Sequence, residues 1–213
     1  MTVLYEDNDI IVCLKPAGIN SQGGNSDMVE KLNSYIAENG SNAVIHPVHR
    51  LDRETAGVMV FAKNAKSAAE LSKQISCNAM KKHYFAVING VPSEKNGVLK
   101  DLLFHDRQKN KTYTVRRSRK GVKEASLEYV TVCEADGLSL LDILLHTGRT
   151  HQIRVQFASR KLPLYGDGKY GGGSGKLALF AYKLEFTHPA THKEMIFTAS
   201  PDYSEYPWNK FKN

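Results

Sequence analysis

Three cations and two carboxylates crowd into His49-Arg50-Leu51-Asp52-Arg53-Glu54-Thr55-Ala56-Gly57, and the apolar run Val58-Met59-Val60-Phe61-Ala62 follows without a break. The run reads as a buried strand, so the fold must carry a dense charge cluster to that strand's mouth. Charges placed there cost free energy unless they are paired or used. If the segment is a site, Asp52 is its natural reacting group and the arginines are its phosphate ligands.

The elements around this segment punctuate clearly. Ile10-Ile11-Val12-Cys13-Leu14 reads as a buried strand ended by the turn Lys15-Pro16-Ala17-Gly18. Residues 28–39 read as a helix with Asp27 as N-cap and Gly40 just past its end. After a strand over 57–63, Asn64 caps a helix reaching Cys77, with Ala68, Leu71 and Ile75 on one face. Strands are expected over 83–89, over 125–133 and 138–145 as a hairpin across Ala135-Asp136-Gly137, and over 177–186 and 195–198. Thr150 is expected to cap a short helix reaching Arg160. The glycine-rich stretch 166–175 is expected as a long flexible loop, without the Lys-Ser/Thr ending of a phosphate-cradling motif. Many antiparallel strands with three helices indicate an α+β fold around a mixed sheet. The 213 residues suit a single domain over 1–213.

Net charge is +7, and the excess is uneven. Residues 109–120, Lys109 to Lys120, hold six cations and no acid, which suits a polyanion or a solvated basic hairpin. Tyr113 among the cations favours nucleic acid, because aromatic rings stack on bases. The first residues have neither a basic start nor a long apolar core, so no signal peptide is expected, and no apolar stretch approaches the roughly 20 residues that span a bilayer. Three scattered cysteines, Cys13, Cys77 and Cys133, fit reduced thiols and a cytoplasmic location. No apolar stripe stands out, so a monomer without membrane association is expected.

Metal and hydrolase chemistry find little support. Eight histidines are present, but no His-Glu-x-x-His or Cys-x-x-Cys accompanies them, so no metal is expected. Gly-x-Ser-x-Gly is absent, and a hydrolase pairing Asp52 with a histidine lacks a nucleophile–base motif. In His146-Thr147-Gly148-Arg149-Thr150-His151-Gln152-Ile153-Arg154-Val155 a strand turns into a helix start. Ile153 and Val155 flank Arg154, whose guanidinium should therefore be semi-buried and need an acid. Asp52 is a candidate for that acid, and an adjacent arginine would hold it ionised. Tyr84 shares a strand face with Ala86 and Ile88, which aims it at core or cleft.

Taken together, these segments resemble the RluA-type pseudouridine synthases. His49 to Gly57 with Ala62-Lys63 resembles the family's signature. Lys82-x-Tyr84-x-Ala86-x-Ile88-x-Gly90 resembles its tyrosine strand, and Thr147 to Val155 its arginine segment. Pro163-Leu164-Tyr165-Gly166-Asp167-x-x-Tyr170-Gly171, Leu177 to Ala181, His188-Pro189 and Phe197-Thr198-Ala199 resemble the remainder, as Lys15-Pro16-Ala17-Gly18 resembles the opening turn. Gln156 and Phe180 replace common histidines, Ala56 a common serine and Ile88 a common valine. These departures bear on target and packing rather than on the reaction.

The resemblance implies a pseudouridine synthase fold, a mixed and mainly antiparallel sheet with flanking helices and a central cleft. It implies an isomerase that turns specific uridines of ribosomal or transfer RNA into pseudouridine without cofactor or metal. Asp52 would be the essential carboxylate, attacking the sugar, attacking the base or abstracting a sugar proton. Each role needs it ionised. Tyr84 would pack against the uracil, Arg50 would attend the extruded base, Arg154 would serve Asp52, and Leu51 and Ile153 would support the pocket. The RNA-binding domain that precedes the catalytic one in many relatives is not expected, since the first strand begins near Thr2. Arg149, Arg116 and Arg117 are then expected on the RNA backbone. The alternative is an RNA-binding protein or chaperone with the same fold and no turnover.

Overall fold

A computed structural model describes residues 2–212. The chain divides into two compact units, one running to Lys81 and rejoined by Ala181–Ala199, the other Lys82–Phe180 with the residues from Ser200 on. In the first unit, β1 (Thr2–Glu6) pairs antiparallel with β2 (Ile10–Lys15). Helix α1 (Met28–Glu38) starts where the Asp27 side chain accepts from Glu30 N, as its sequence position led us to expect. The short β3 (His46–Pro47) leads into β4 (Ala56–Ala62), which pairs with both β2 and β3. Val58 to Ala62 are all buried, so an unbroken apolar run here is a strand covered on both sides. Helix α2 (Ala65–Ser76) is capped by Asn64 and seats Leu71, flanked by Ala68 and Ile75, in the core of Ile10, Val12, Val58 and Val60.

The second unit is built on an antiparallel sheet of two hairpins. Strands β5 (Lys81–Asn89), β6 (Asn96–Asp106), β7 (Lys111–Val115), β8 (Val122–Ala135) and β9 (Leu138–Leu145) lie in the order β5-β9-β8-β6-β7. The hairpins are β6–β7 and β8–β9, with β5 beside β9 and β7 at the edge. The β8–β9 hairpin turns on Asp136 and Gly137, both at positive φ (51° and 75°), as a two-residue primed turn requires. Helix α3 (Gln152–Ala158) packs on this sheet through Val155, set among Leu103 and Ala125, and through Phe157, edge-on to Tyr129 at 5.5 Å. The chain re-enters the first unit along β10 (Leu179–Thr187), paired antiparallel with β11 (Glu194–Thr198). A 3-10 turn over Trp208–Phe211 closes the chain, packing Trp208 and Phe211 against Val87 and Leu140.

Gly57 marks where the charged segment becomes a strand. Its φ is +134°, and a Cβ there would stand 2.3 Å from the Ala181 carbonyl oxygen. Only glycine lets β4 and β10 approach so closely. No helix of the described residues is long and apolar enough to cross a membrane.

Two expectations need correction. The stretch 166–175 is not a slack loop. Gly166 N donates to Gly172 O at 3.0 Å, Gly172 N to Asp167 O at 2.8 Å, and Asp167 N to Leu164 O at 3.1 Å. A Cβ on Gly172 would fall 1.7 Å from Leu164 O, so its glycines serve tight packing rather than freedom. Thr150 does not cap α3 either. The N-cap is His151, in the left-handed region at φ 54°, and no side chain caps it. The Thr150 carbonyl instead accepts from Thr112 Oγ1 at 2.8 Å.

Candidate active site

In the first unit the segment 49–57 is a loop held at several points. Leu51 is buried, and Ser21 Oγ both accepts from Leu51 N at 2.9 Å and donates to Leu51 O at 3.0 Å. Thr55 N donates to Asp52 O at 3.0 Å, which tightens the backbone around Asp52, itself half-buried. His49 Nε2 accepts from Val60 N at 3.1 Å, so the ring proton sits on Nδ1. Arg50 is exposed and engages no partner among the described residues.

Sequence reasoning treated Lys15 as part of a turn and missed its role. It is 1% exposed, and its Nζ donates to the carbonyls of Pro16 (2.8 Å), Ile19 (2.7 Å) and Arg53 (3.0 Å). Gly18 N donates to Arg53 O, and Arg53 Nε donates back to Gly18 O. The opening turn is thus bolted to the loop that carries Asp52. Burial pushes the Lys15 ammonium down to about 8, against the pull of the Glu54 and Asp52 carboxylates. The sequence signal was its position: the strand's buried pattern continues into Lys15.

In the second unit Tyr84 is buried on β5 with Ala86 and Ile88, as its strand parity led us to expect. Ile153 and Arg154 are buried on α3. The acid that Arg154 needs includes one the sequence reading did not name. Asp167, 1% exposed, accepts from Arg154 Nε at 2.7 Å and from Nη2 at 2.8 Å. Asp167 is the single acid in the stretch 166–175, which was the available signal. The Arg154 guanidinium also lies over the Tyr170 ring at 5.2 Å. Tyr170 Oη accepts from Thr112 N at 2.8 Å and pairs with His151 Nδ1 at 2.9 Å. Arg154 is therefore tied through one aromatic ring to the edge strand β7.

The Gly148-Arg149 turn is fixed by Gln152, which is buried. Gln152 Oε1 accepts from Thr147 Oγ1 (2.7 Å) and Arg149 N (3.1 Å), while its Nε2 donates to Ser126 O. Arg149 Nε donates to Glu124 O at 2.9 Å. Beside it opens a cavity of about 640 Å3, whose lining includes His105, Arg107, Lys123 and Arg149. The basic run 109–120 is one strand and its two connections rather than a hairpin. Arg116 and Arg117 are exposed in the connection after β7, apart from the cavity lining. In sum, Arg50, Leu51 and Asp52 share one loop of the first unit, and Tyr84, Arg149, Ile153 and Arg154 belong to the second.

The chain is similar to known proteins along most of its length. The family profile described as RNA pseudouridylate synthase matches residues 9–159. The chain is 36% identical over 210 residues to the uncharacterized RNA pseudouridine synthase YhcT of Bacillus subtilis, covering 94% of this chain and 68% of that protein. It is 33% identical over 216 residues to ribosomal large subunit pseudouridine synthase C of Buchnera aphidicola, covering 94% and 67%. Among solved structures, human RNA pseudouridylate synthase domain containing 4 shares the fold with a TM-score of 0.78 at 24% identity, over 95% of this chain and 89% of that one.

Proposed function

The chain belongs to the RNA pseudouridylate synthase family and is an isomerase, and on that footing we propose that it converts specific uridines of ribosomal or transfer RNA to pseudouridine with Asp52 as the essential carboxylate. The observation that carries this reading is how firmly the Asp52 loop is held. Ser21, Lys15 and the Thr55 amide fix the backbone on both sides of a half-buried carboxylate. A carboxylate carried on a fixed backbone has less freedom to lose on meeting its substrate. A relative named for the ribosomal large subunit makes ribosomal RNA the first substrate to test.

Around Asp52 each remaining residue takes a role. In this reading Arg154, its planar head oriented by Asp167, is the cation that serves Asp52. Tyr84 packs against the uracil, Leu51 and Ile153 back the pocket, and Arg50, exposed and unengaged, attends the space left by the extruded base. Arg116, Arg117 and Arg149 contact the RNA backbone. Three unpaired cysteines are consistent with a cytoplasmic site of action.

The test maps pseudouridines in total RNA from cells with and without this gene, then with Asp52→Asn restored in its place. The sites lost with the gene should return with the wild-type protein and stay absent with Asp52→Asn, while RNA binding survives. Pseudouridine made by Asp52→Asn would remove Asp52 from the chemistry.

A further inference from the structure

Lys82 has no part in the roles above, yet it stands two residues before Tyr84 on β5. The two side chains leave the strand on the same face, about 7 Å apart along it. Lys82 is half-buried, and its ammonium reaches the backbone at Gly148, where a Cβ would lie 3.6 Å from Nζ. Among the described residues nothing accepts a hydrogen bond from Nζ and no carboxylate pairs with it. Its charged neighbour is a second cation: burial and then Arg149 push the Lys82 pKa down. Arg149 is half-buried as well and spends its Nε on Glu124 O, again with no carboxylate partner among the described residues.

Two cations at one corner, both partly withdrawn from water and repelling each other, are costly without a counter-charge. The turn that brings Arg149 there is not adaptable, because the Gln152 amide fixes Thr147 and the Arg149 backbone. The corner therefore has the charge and rigidity of a site whose anion is a ligand. A compact ammonium beside a planar guanidinium suits the oxygens of a phosphodiester. Past Arg149 the cavity lining adds Arg107 and Lys123 beside the one carboxylate of Asp106, so cations outnumber acids along it.

We propose that Lys82 and Arg149 together hold one backbone phosphate of the RNA beside the target uridine. This rests on the reading that the chain acts on RNA with Tyr84 at the base. Both are positioning residues: they place the nucleotide and leave the bond changes to Asp52.

The experiment titrates polyuridylate against the full chain over about 50 to 200 mM salt, for wild type, Lys82→Met, Lys82→Arg, Arg149→Gln and the double variant Lys82→Met/Arg149→Gln. Losing one single-strand phosphate contact should shrink the slope of log affinity on log salt by about 0.7, so the affinity gap to wild type narrows about threefold across that range. Lys82→Met should show this and Lys82→Arg should not. The double variant should lose less than the sum of the singles, because one phosphate is shared. A steep wild-type slope unmoved by Lys82→Met overturns the phosphate pair alone. A wild-type slope near zero overturns the RNA reading itself. Should Lys82→Met melt far below wild type, Arg149→Gln leaves β5 intact and reads the same contact, and an unmoved slope there overturns the pair equally.

Discussion

Asp167 grips Arg154 with both carboxylate oxygens, at 2.7 and 2.8 Å, and the two side chains are 0% and 8% exposed. The pair joins α3 to the folded turn that follows it, so the arginine's plane depends on a residue 13 positions away. Removing one partner strands a buried charge, which costs about 3–5 kcal/mol. Asp167→Asn should therefore lower the urea-unfolding free energy by about 3 kcal/mol, read from the midpoint at constant m value. Arg154→Lys should lose stability similarly, because an ammonium cannot span both oxygens. A midpoint unmoved by Asp167→Asn would show that the pair adds nothing to the fold.

Tyr170 is the hinge pin between this pair and the basic edge strand. Its hydroxyl is the partner of the Thr112 amide, and its ring lies under both Arg154 and Lys111. Tyr170→Phe keeps the ring and strands the Thr112 N–H, a loss of about 1–3 kcal/mol. Hydrogen exchange at Thr112 should speed up while amides in the β8–β9 hairpin hold their protection. Equal protection at Thr112 in both proteins would contradict the coupling.

What could be read from sequence was local. Asp27 and Asn64 cap their helices because an oxygen three residues before an amide is a short-range geometry. Asp136-Gly137 turns its hairpin because those residues tolerate positive φ. Arg154 was legible as a buried cation, yet Asp167 was hidden in a glycine-rich stretch that composition alone marks as slack. Lys15 was legible only as a turn residue, since two of its carbonyl partners lie in the turn it opens and the third, Arg53, in a loop 38 residues on. The helix start misread at Thr150 has the same origin: the N-cap falls one residue later, at His151, and Thr150 is held through its carbonyl by Thr112 from the distant strand β7. Strand β6 is missing from the expected elements because Lys100, Asp101 and His105 break its apolar pattern.

Lys15 gives the fold a pH dependence of defined sign. Its ammonium titrates near 8 in the folded chain and near 10.5 when unfolded. Between those values the unfolded chain binds more protons, so stability rises with pH across the window, by at most on the order of 3 kcal/mol. Below pH 8 both states are protonated and the full cost of burying the charge is present. Lys15→Met abolishes this rise and takes the donor from the Pro16 and Ile19 carbonyls, while Arg53 O keeps the Gly18 amide, a loss of about 2 kcal/mol at neutral pH. Unfolding free energies measured at about pH 7.5 and 9.5 should show wild type pulling further ahead of Lys15→Met at the higher value. A constant gap would mean that the ammonium keeps its ordinary pKa.

Arg116 and Arg117 differ from Arg119, their neighbour in the same connection. Arg119 lies over the Phe104 ring at 5.0 Å, so part of its surface serves the fold. Arg116 and Arg117 are exposed with no partner among the described residues. Two cations left in water contribute little to stability, and their charge is available to phosphate. Reversing both to glutamate should leave the melting temperature within about 4 °C, since exposed substitutions rarely cost more than about 0.5 kcal/mol each. RNA affinity should fall at least about tenfold at low salt, with a salt slope shallower by about 1.4, the value for two lost single-strand contacts. Arg119→Glu should instead lower the melting temperature by removing the ring contact. If the double reversal leaves affinity and slope unchanged, this connection is solvated surface and the RNA is held by the Lys82 and Arg149 side of the unit.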